Sequence, residues 1–312
     1  MTGKWLRRAV LLAACASAAV LTACGSSTIE SALAPSRFIA FGDGLSDVGQ
    51  TGTRYTVNDG SINVWTQQVA ASYGRSLTAV SAGGTSYARG HARLLSATDD
   101  VGGSAMSVKQ QIDTFLAADK FGSNDVAFIN GGLGDLLAQY ASSTDATTLS
   151  NVMAQAGTDL GTQVRRLVNA GAKYVVVSGL YDASKSPWGV ASGQASNISA
   201  AVLKFNSALL LSINDLGNNV LYIDAAYYYN LVIASPSGYG LTDSTNIACT
   251  SVDSGKGIGI GSGQVNSSLC TTSTLASGIN YTTYTFADKV YFSPAAQNLY
   301  GTYAYGRMKS RW

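Results

Sequence analysis

The chain runs to 312 residues, of which 46% are hydrophobic and 12% charged, a balance that excludes a disordered chain and supplies the core of one large α/β domain. Its formal net charge of +2 arises in residues 1–23, which hold three basic and no acidic side chains. The remainder has 17 basic against 18 acidic residues, and that net −1 argues against a nucleic-acid partner.

In chain order, Lys4, Arg7 and Arg8 precede the apolar run Ala9 to Ala23, which at about fifteen residues falls short of the ~20 that a membrane span needs. Residues 1–23 therefore read as a secretion signal. Leu21-Thr22-Ala23-Cys24 resembles a bacterial lipobox, which implies cleavage before Cys24 and acylation of its sulfur and freed amine. An ordinary signal peptide with an incidental cysteine is the alternative. Several acyl chains, at about 0.8 kcal/mol per buried methylene, hold a protein firmly on a bilayer. Gly25 after the cysteine resembles outer-membrane sorting, so the expected location is the cell envelope, reached through the N-terminal lipid. Residues 24–36 read as a tether and residues 37–312 as the folded domain.

Within that domain, Phe38 to Phe41, Val126 to Ile129, Tyr174 to Ser178 and Val220 to Ile223 are short β-branched or aromatic runs, as buried parallel strands should be. A weaker strand is expected near Leu77 to Val80. Val64 to Tyr73, Val108 to Ala117, Leu149 to Asn169 and Ile198 to Leu216 carry apolar residues at helical spacing. Gly171 and Gly217 stand where C-terminal caps would. A last helix starts near Pro294. The alternation predicts a doubly wound, flavodoxin-like parallel sheet of five strands flanked by helices, with a shared crevice at the carboxyl ends of the strands.

Residues 235–280 are rich in Gly, Ser and Thr and too long for a simple connection, so they read either as a folded excursion near the crevice or as surface decoration. In that stretch of an exported chain Cys249 and Cys270 are expected to form a disulfide, contributing roughly 3 kcal/mol in the chain-entropy model. Two free thiols or a metal pair is the alternative, with no histidine or further cysteine nearby. Tyr227, Tyr228 and Tyr229, with Tyr300, Tyr303 and Tyr305, read as packing residues before a stacking platform.

Four short blocks carry the chemistry: Phe41-Gly42-Asp43-Gly44-Leu45-Ser46-Asp47, Gly90 within Tyr87 to Arg93, Gly132-Leu133-Gly134-Asp135, and Asp288-Lys289-Val290-Tyr291. Together they resemble the GDSL, or SGNH, lipase/acylhydrolase family over roughly Arg37 to Trp312, which implies the SGNH-hydrolase fold. In that family the serine after the first aspartate attacks the ester, an asparagine in the third block donates to the oxyanion, and a histidine in the last acts as base. Here those positions are Gly44, Gly134 and Tyr291; only Gly90 is retained.

The resemblance thus implies a pseudo-hydrolase with no catalytic residue set intact. Losing the serine or the histidine of such a unit lowers turnover about a millionfold, roughly 8 kcal/mol of barrier. A phenol with an ordinary pKa near 10 is a poor base at neutral pH. The alternative is an ester hydrolase with relocated residues, Ser46 as nucleophile and His91, the chain's single histidine, as base. Plainer roles are a turn or helix-cap position for Ser46 and a backbone-paired loop position for His91. The family's oxyanion donors include the amides at Gly44 and Gly90. An acyl or ester ligand is accordingly expected at Asp43, Gly44, Gly90, Gly134, Asp135 and Tyr291, bound without turnover. An oxygen-only cation site at Asp43, Asp135 and Asp288 is an alternative, although helix capping explains them more simply. No cofactor is implied, and a protein partner cannot be named from the sequence.

Overall fold

The computed structural model describes residues 31–62 and 64–312; the signal sequence, Cys24 and residues 24–30 of the tether lie outside the described residues. Residues Leu33 to Trp312 form one compact unit. Leu33 and Pro35 are buried, the Ser36 amide donates to the Asn124 carbonyl and the Arg75 guanidinium to that of Pro35, so the end of the expected tether packs onto the domain.

Four strands, β1 (Arg37–Phe41), β2 (Asp125–Ile129), β3 (Tyr174–Ser178) and β4 (Val220–Ile223), pair in parallel in the order β1-β2-β3-β4. β2 is buried at every residue, as a strand covered on both faces must be. Phe38 and Phe41 stand an odd number of residues apart and so point to opposite faces. Phe38 stacks on Phe128 beside Trp65 of helix α1 (Trp65–Ser72), whereas Phe41 meets Phe115 of α2 (Val108–Ala118) edge-on. Helices on both faces make the doubly wound arrangement.

The fifth strand is not formed. Leu77 to Val80 contributes only an isolated bridge from Ala79 to Ser86, and Ser86 bridges in turn to Ala40 on the edge of β1. The bonds that β1 makes there run from the Ala40 amide to the Thr85 carbonyl, from the Tyr87 and Ala88 amides to the Ala40 carbonyl, and from the Thr85 hydroxyl to the Phe38 carbonyl. Gly83 at φ +79° turns the chain back after a single 3-10 turn, and an added Cβ on Gly84 would stand 2.2 Å from the Thr78 carbonyl, so the segment folds on itself instead of extending.

Helix α3 (Leu133–Ser142) starts inside the third block, and α4 (Ala146–Asn169), capped by Asp145, follows. Short α5 (Pro187–Ala191) precedes α6 (Ala195–Ile213), then α7 (Ala225–Ala234) and α8 (Pro294–Arg311). α4 and α6 lie close enough that a Cβ on Gly157 would meet the Phe205 carbonyl at 2.2 Å and one on Gly161 the Ser212 Cβ at 2.3 Å. The sequence reading missed α3, hidden in a glycine-rich motif, and α7, whose tyrosine run has no polar stripe to mark a period. Residues 235–280 do fold: β5 (Asp243–Ile247) pairs in parallel with β8 (Tyr284–Phe286), and β6 (Val252–Asp253) with β7 (Gln264–Val265) in antiparallel fashion. Cys249 and Cys270 are buried there at bonding distance, with Cα atoms 5.8 Å apart.

Candidate functional site

The loop leaving β1 is fixed from below by Gln111 of α2. Its side-chain amide accepts from the Gly42 N–H at 2.8 Å and donates to the Gly42 carbonyl at 2.9 Å. Asp43 then folds back, its Oδ1 accepting from the Leu45 amide at 3.0 Å and from Asn130 Nδ2 at 2.6 Å, while the Ser46 amide donates to the Asp43 carbonyl. Burial pushes the Asp43 carboxyl up to about 6, since that charge is held away from water. Gly44 is thereby presented at the carboxyl end of the sheet, where a nucleophile elbow would stand.

The space in front of Gly44 is occupied. A Cβ on this residue would lie 2.7 Å from the Tyr291 hydroxyl and 2.9 Å from its Cε1 and Cζ. Tyr291 is only 1% exposed and Tyr55 packs on it with ring centroids 4.7 Å apart. Tyr55 also closes over the second block, where a Cβ on Gly90 would meet its ring at 2.2 Å. Burial drives the Tyr291 phenol well above its ordinary value, which removes it further from the range of a base. The Gly90 amide, expected to serve an oxyanion, donates instead to Asp47 Oδ2 at 2.7 Å. Gly134 is packed as tightly: an added Cβ would stand 2.7 Å from the Ala92 carbonyl, so an asparagine there would require the backbone to shift. Behind the loop a cavity of about 20 Å³, bordered by Leu45, Trp65, Asn130, Ser178 and Phe292, has room for one water and not for an acyl chain. Of the positions expected to take a ligand, Asp43, Gly44, Gly90, Gly134, Asp135 and Tyr291, the space at Gly44 is therefore filled by Tyr291 and that at Gly90 by Tyr55, while Gly134 is packed on Ala92.

Ser46 and His91 are not paired. Ser46 is fully buried and its Oγ accepts from the Trp65 indole N–H at 2.9 Å. His91 sits at φ +65°, alone among the non-glycine described residues in that region, and its Nδ1 meets Asp100 Oδ1 at 2.6 Å, not a backbone group. Burial works against the charged imidazole, but the Asp100 carboxylate, with Asp99 and Asp47 beyond it, outweighs that and holds His91 above its ordinary value. Tyr55 lies edge-on to the imidazole at 5.5 Å.

The three carboxylates do not meet. Asp43 is engaged as described; Asp135 accepts from the Leu94 amide at 2.9 Å and Arg93 Nε at 3.2 Å; Asp288 accepts from the amides of Val290, Tyr291 and Ser267 at 2.7 to 2.9 Å. Among the described residues there is no group of three or more His, Cys, Asp or Glu side chains able to hold a metal. The last aspartate thus ties the Cys249 to Cys270 excursion, through Ser267, to the block that carries Tyr291. Sequence reasoning missed Tyr55, because nothing in Thr53-Arg54-Tyr55-Thr56 marks it as a motif; its role exists only in contact with Gly90 and Tyr291.

A family profile described as GDSL-like Lipase/Acylhydrolase matches residues 38–303. The chain is also 27% identical, over 195 residues, to an "Uncharacterized protein in trpE-trpG intergenic region" of Pseudomonas putida. That alignment takes in 61% of this chain and 29% of the relative, so the chain spans under a third of that protein's length.

Proposed function

The chain belongs to the GDSL-like lipase/acylhydrolase family, and from that premise we propose that it is a non-hydrolytic member, lipid-anchored to the bacterial envelope through Cys24 and acting by binding. The observation that carries the reading is the Tyr291 phenol standing 2.7 Å from the point a side chain on Gly44 would have to enter. Ester cleavage needs a hydroxyl, an imidazole within hydrogen-bond reach of it and donors for the oxyanion. At the family positions glycine and tyrosine supply neither of the first two, and the Gly90 amide is already engaged by Asp47. Ser46 and His91 do not replace them, since each is held by another partner, Trp65 and Asp100. An acyl ligand at Gly44 and Gly90 would have to displace both Tyr55 and Tyr291, so binding is assigned elsewhere on the domain.

The test is turnover of short and long p-nitrophenyl acyl esters together with labelling by a fluorophosphonate. The expected result is neither activity nor labelling in the parent protein, and labelling at residue 44 in a Gly44→Ser, Tyr291→His double variant. Turnover by the parent that disappears in Ser46→Ala or His91→Ala overturns the proposal. For the anchor, metabolic labelling with palmitate is expected to mark the protein and to be lost in Cys24→Ala; incorporation that survives that change sinks the lipobox reading.

A further inference from the structure

The exposed apolar surface of the domain gathers on three consecutive helices. Val190, Leu203, Leu210, Leu211, Tyr227 and Leu231, more than half of the large apolar side chains exposed among the described residues, fall on α5, α6 and α7. Val190 is 67%, Leu203 66% and Leu211 73% exposed. Three adjoining grooves of about 350 to 530 Å³ join the first five into one face: Leu210 borders two of them, and Leu203 borders one of those and the third. Single exposed leucines are ordinary, whereas a continuous set marks a surface that something covers. We propose that this face lies on an anionic phospholipid bilayer, an inference that rests on the lipid anchor at Cys24 and names what the anchored domain binds.

Helix α6 explains the gathering. Ala195–Ile213 is long and apolar enough, by length and composition alone, to cross a membrane, yet only 39% of its apolar stretch is buried in the domain. One side meets α4 at Gly157 and Gly161. On the outer side Leu203 and Leu210, and likewise Lys204 and Leu211, repeat every second turn. Lys204 is the one charged side chain in α5, α6 and α7. Lys185 and Arg311 border the two outer grooves, and none of these three cations is in an ion pair among the described residues. Of the nearby acids, Asp215 is paired with Arg165, Asp182 is buried and Asp224 caps α7. An apolar face with a basic margin fits the boundary of an anionic bilayer, where leucines enter the acyl region and cations meet phosphate. A second copy packed two-fold on this face would bring the cationic margins together.

The tether puts the bilayer within reach. The parallel register sets Val220 of β4 level with Ile39 of β1. Leu210 and Leu211 share a groove with Val220, so they lie toward the amino end of the sheet, the end at which Ser36 enters β1. Three strand spacings, about 15 Å, separate β1 from β4. Residues 24–32 span at most about 30 Å when fully extended, so an acylated Cys24 keeps this end of the domain close to the membrane surface.

Electron spin resonance of the acylated chain in vesicles of phosphatidylethanolamine and phosphatidylglycerol tests the assignment. Nitroxides are placed at Leu203→Cys, at Leu211→Cys and, as a control, at Ala71→Cys on an exposed position of α1. At positions 203 and 211 reconstitution is expected to abolish relaxation by an aqueous nickel chelate and to raise relaxation by oxygen, which concentrates among acyl chains. At position 71 both should stay as in solution. Lys185→Glu with Lys204→Glu, at two exposed sites, should return nickel access at 203 and 211. A fall in both nickel and oxygen access, with dipolar broadening between labels, means that a second copy covers the face and overturns the assignment. So does nickel access at 203 and 211 equal to that at 71 in a chain that carries palmitate, an outcome that leaves the anchor standing. A chain that takes up no palmitate overturns the anchor and this assignment together.

Discussion

At Gly44 a single atom decides the chemistry and the packing together. Restoring serine alone places a Cβ within 2.9 Å of the Tyr291 hydroxyl and two of its ring carbons, and the ring is too enclosed to turn away. Overpacking of this kind destabilises by about 1–3 kcal/mol. Gly44→Ser is therefore expected to lower the melting temperature, and Gly44→Ser with Tyr291→His to recover part of the loss, because the smaller imidazole vacates the hydroxyl's place. A single variant as stable as the parent would show that the tyrosine is not confined. The same scale shows what could be read in advance. The missing hydroxyl and imidazole stand in the blocks as Gly44 and Tyr291. That Tyr291 leans into the space of Gly44 does not, since a motif records order along the chain and not which side chain fills which gap.

Among the elements, the excursion at residues 235–280 has the clearest structural task. Cys249 and Cys270, 21 residues apart, close a loop within it, and Ser267 in that loop donates to Asp288, whose other oxygen orients the amide of Tyr291. Closing a loop of that size stabilises by roughly 3 kcal/mol in the chain-entropy model. Replacing both cysteines by serine is expected to lower stability by about that amount in urea unfolding, with the parent showing the same drop on reduction. A parent indifferent to reductant would mean the thiols are not joined. The main helices and the four strands were legible because their apolar periods are long or their β-branched runs short and bounded. The fifth strand was misread because Leu77 to Val80 has the composition of a strand, whereas Gly83 and Gly84 turn it back upon Thr78. Only the fold around it carries that information.

Across the whole molecule, the buried carboxyls set the response to pH. Asp43 is pushed up to about 6 from 3.8, and burial also raises Asp47, Asp100, Asp135 and Asp288. A folded-state value above the unfolded one means that the folded chain binds the proton more tightly, so stability grows as pH falls through the folded value and levels off below about 3.8. His91, also raised, acts in the same direction: its contribution is fully present below 6.5 and is lost as pH climbs through its folded value. The carboxylates lowered by exposed partners, such as Asp113 and Asp119, oppose this only below 3.8. The melting temperature is thus expected to be higher near pH 5.5 than near pH 8, with the upper part of the slope reduced in His91→Gln; a higher value near pH 8 would contradict the account. By itself the sequence determined the family, the alternation of strands and helices, and the absence of nucleophile and base at their usual positions, because these are properties of local order and composition. Only the tertiary structure decided that Tyr55 and Tyr291 pack the vacated site and that Asp47 takes the Gly90 amide, because each depends on side chains from distant segments competing for one volume.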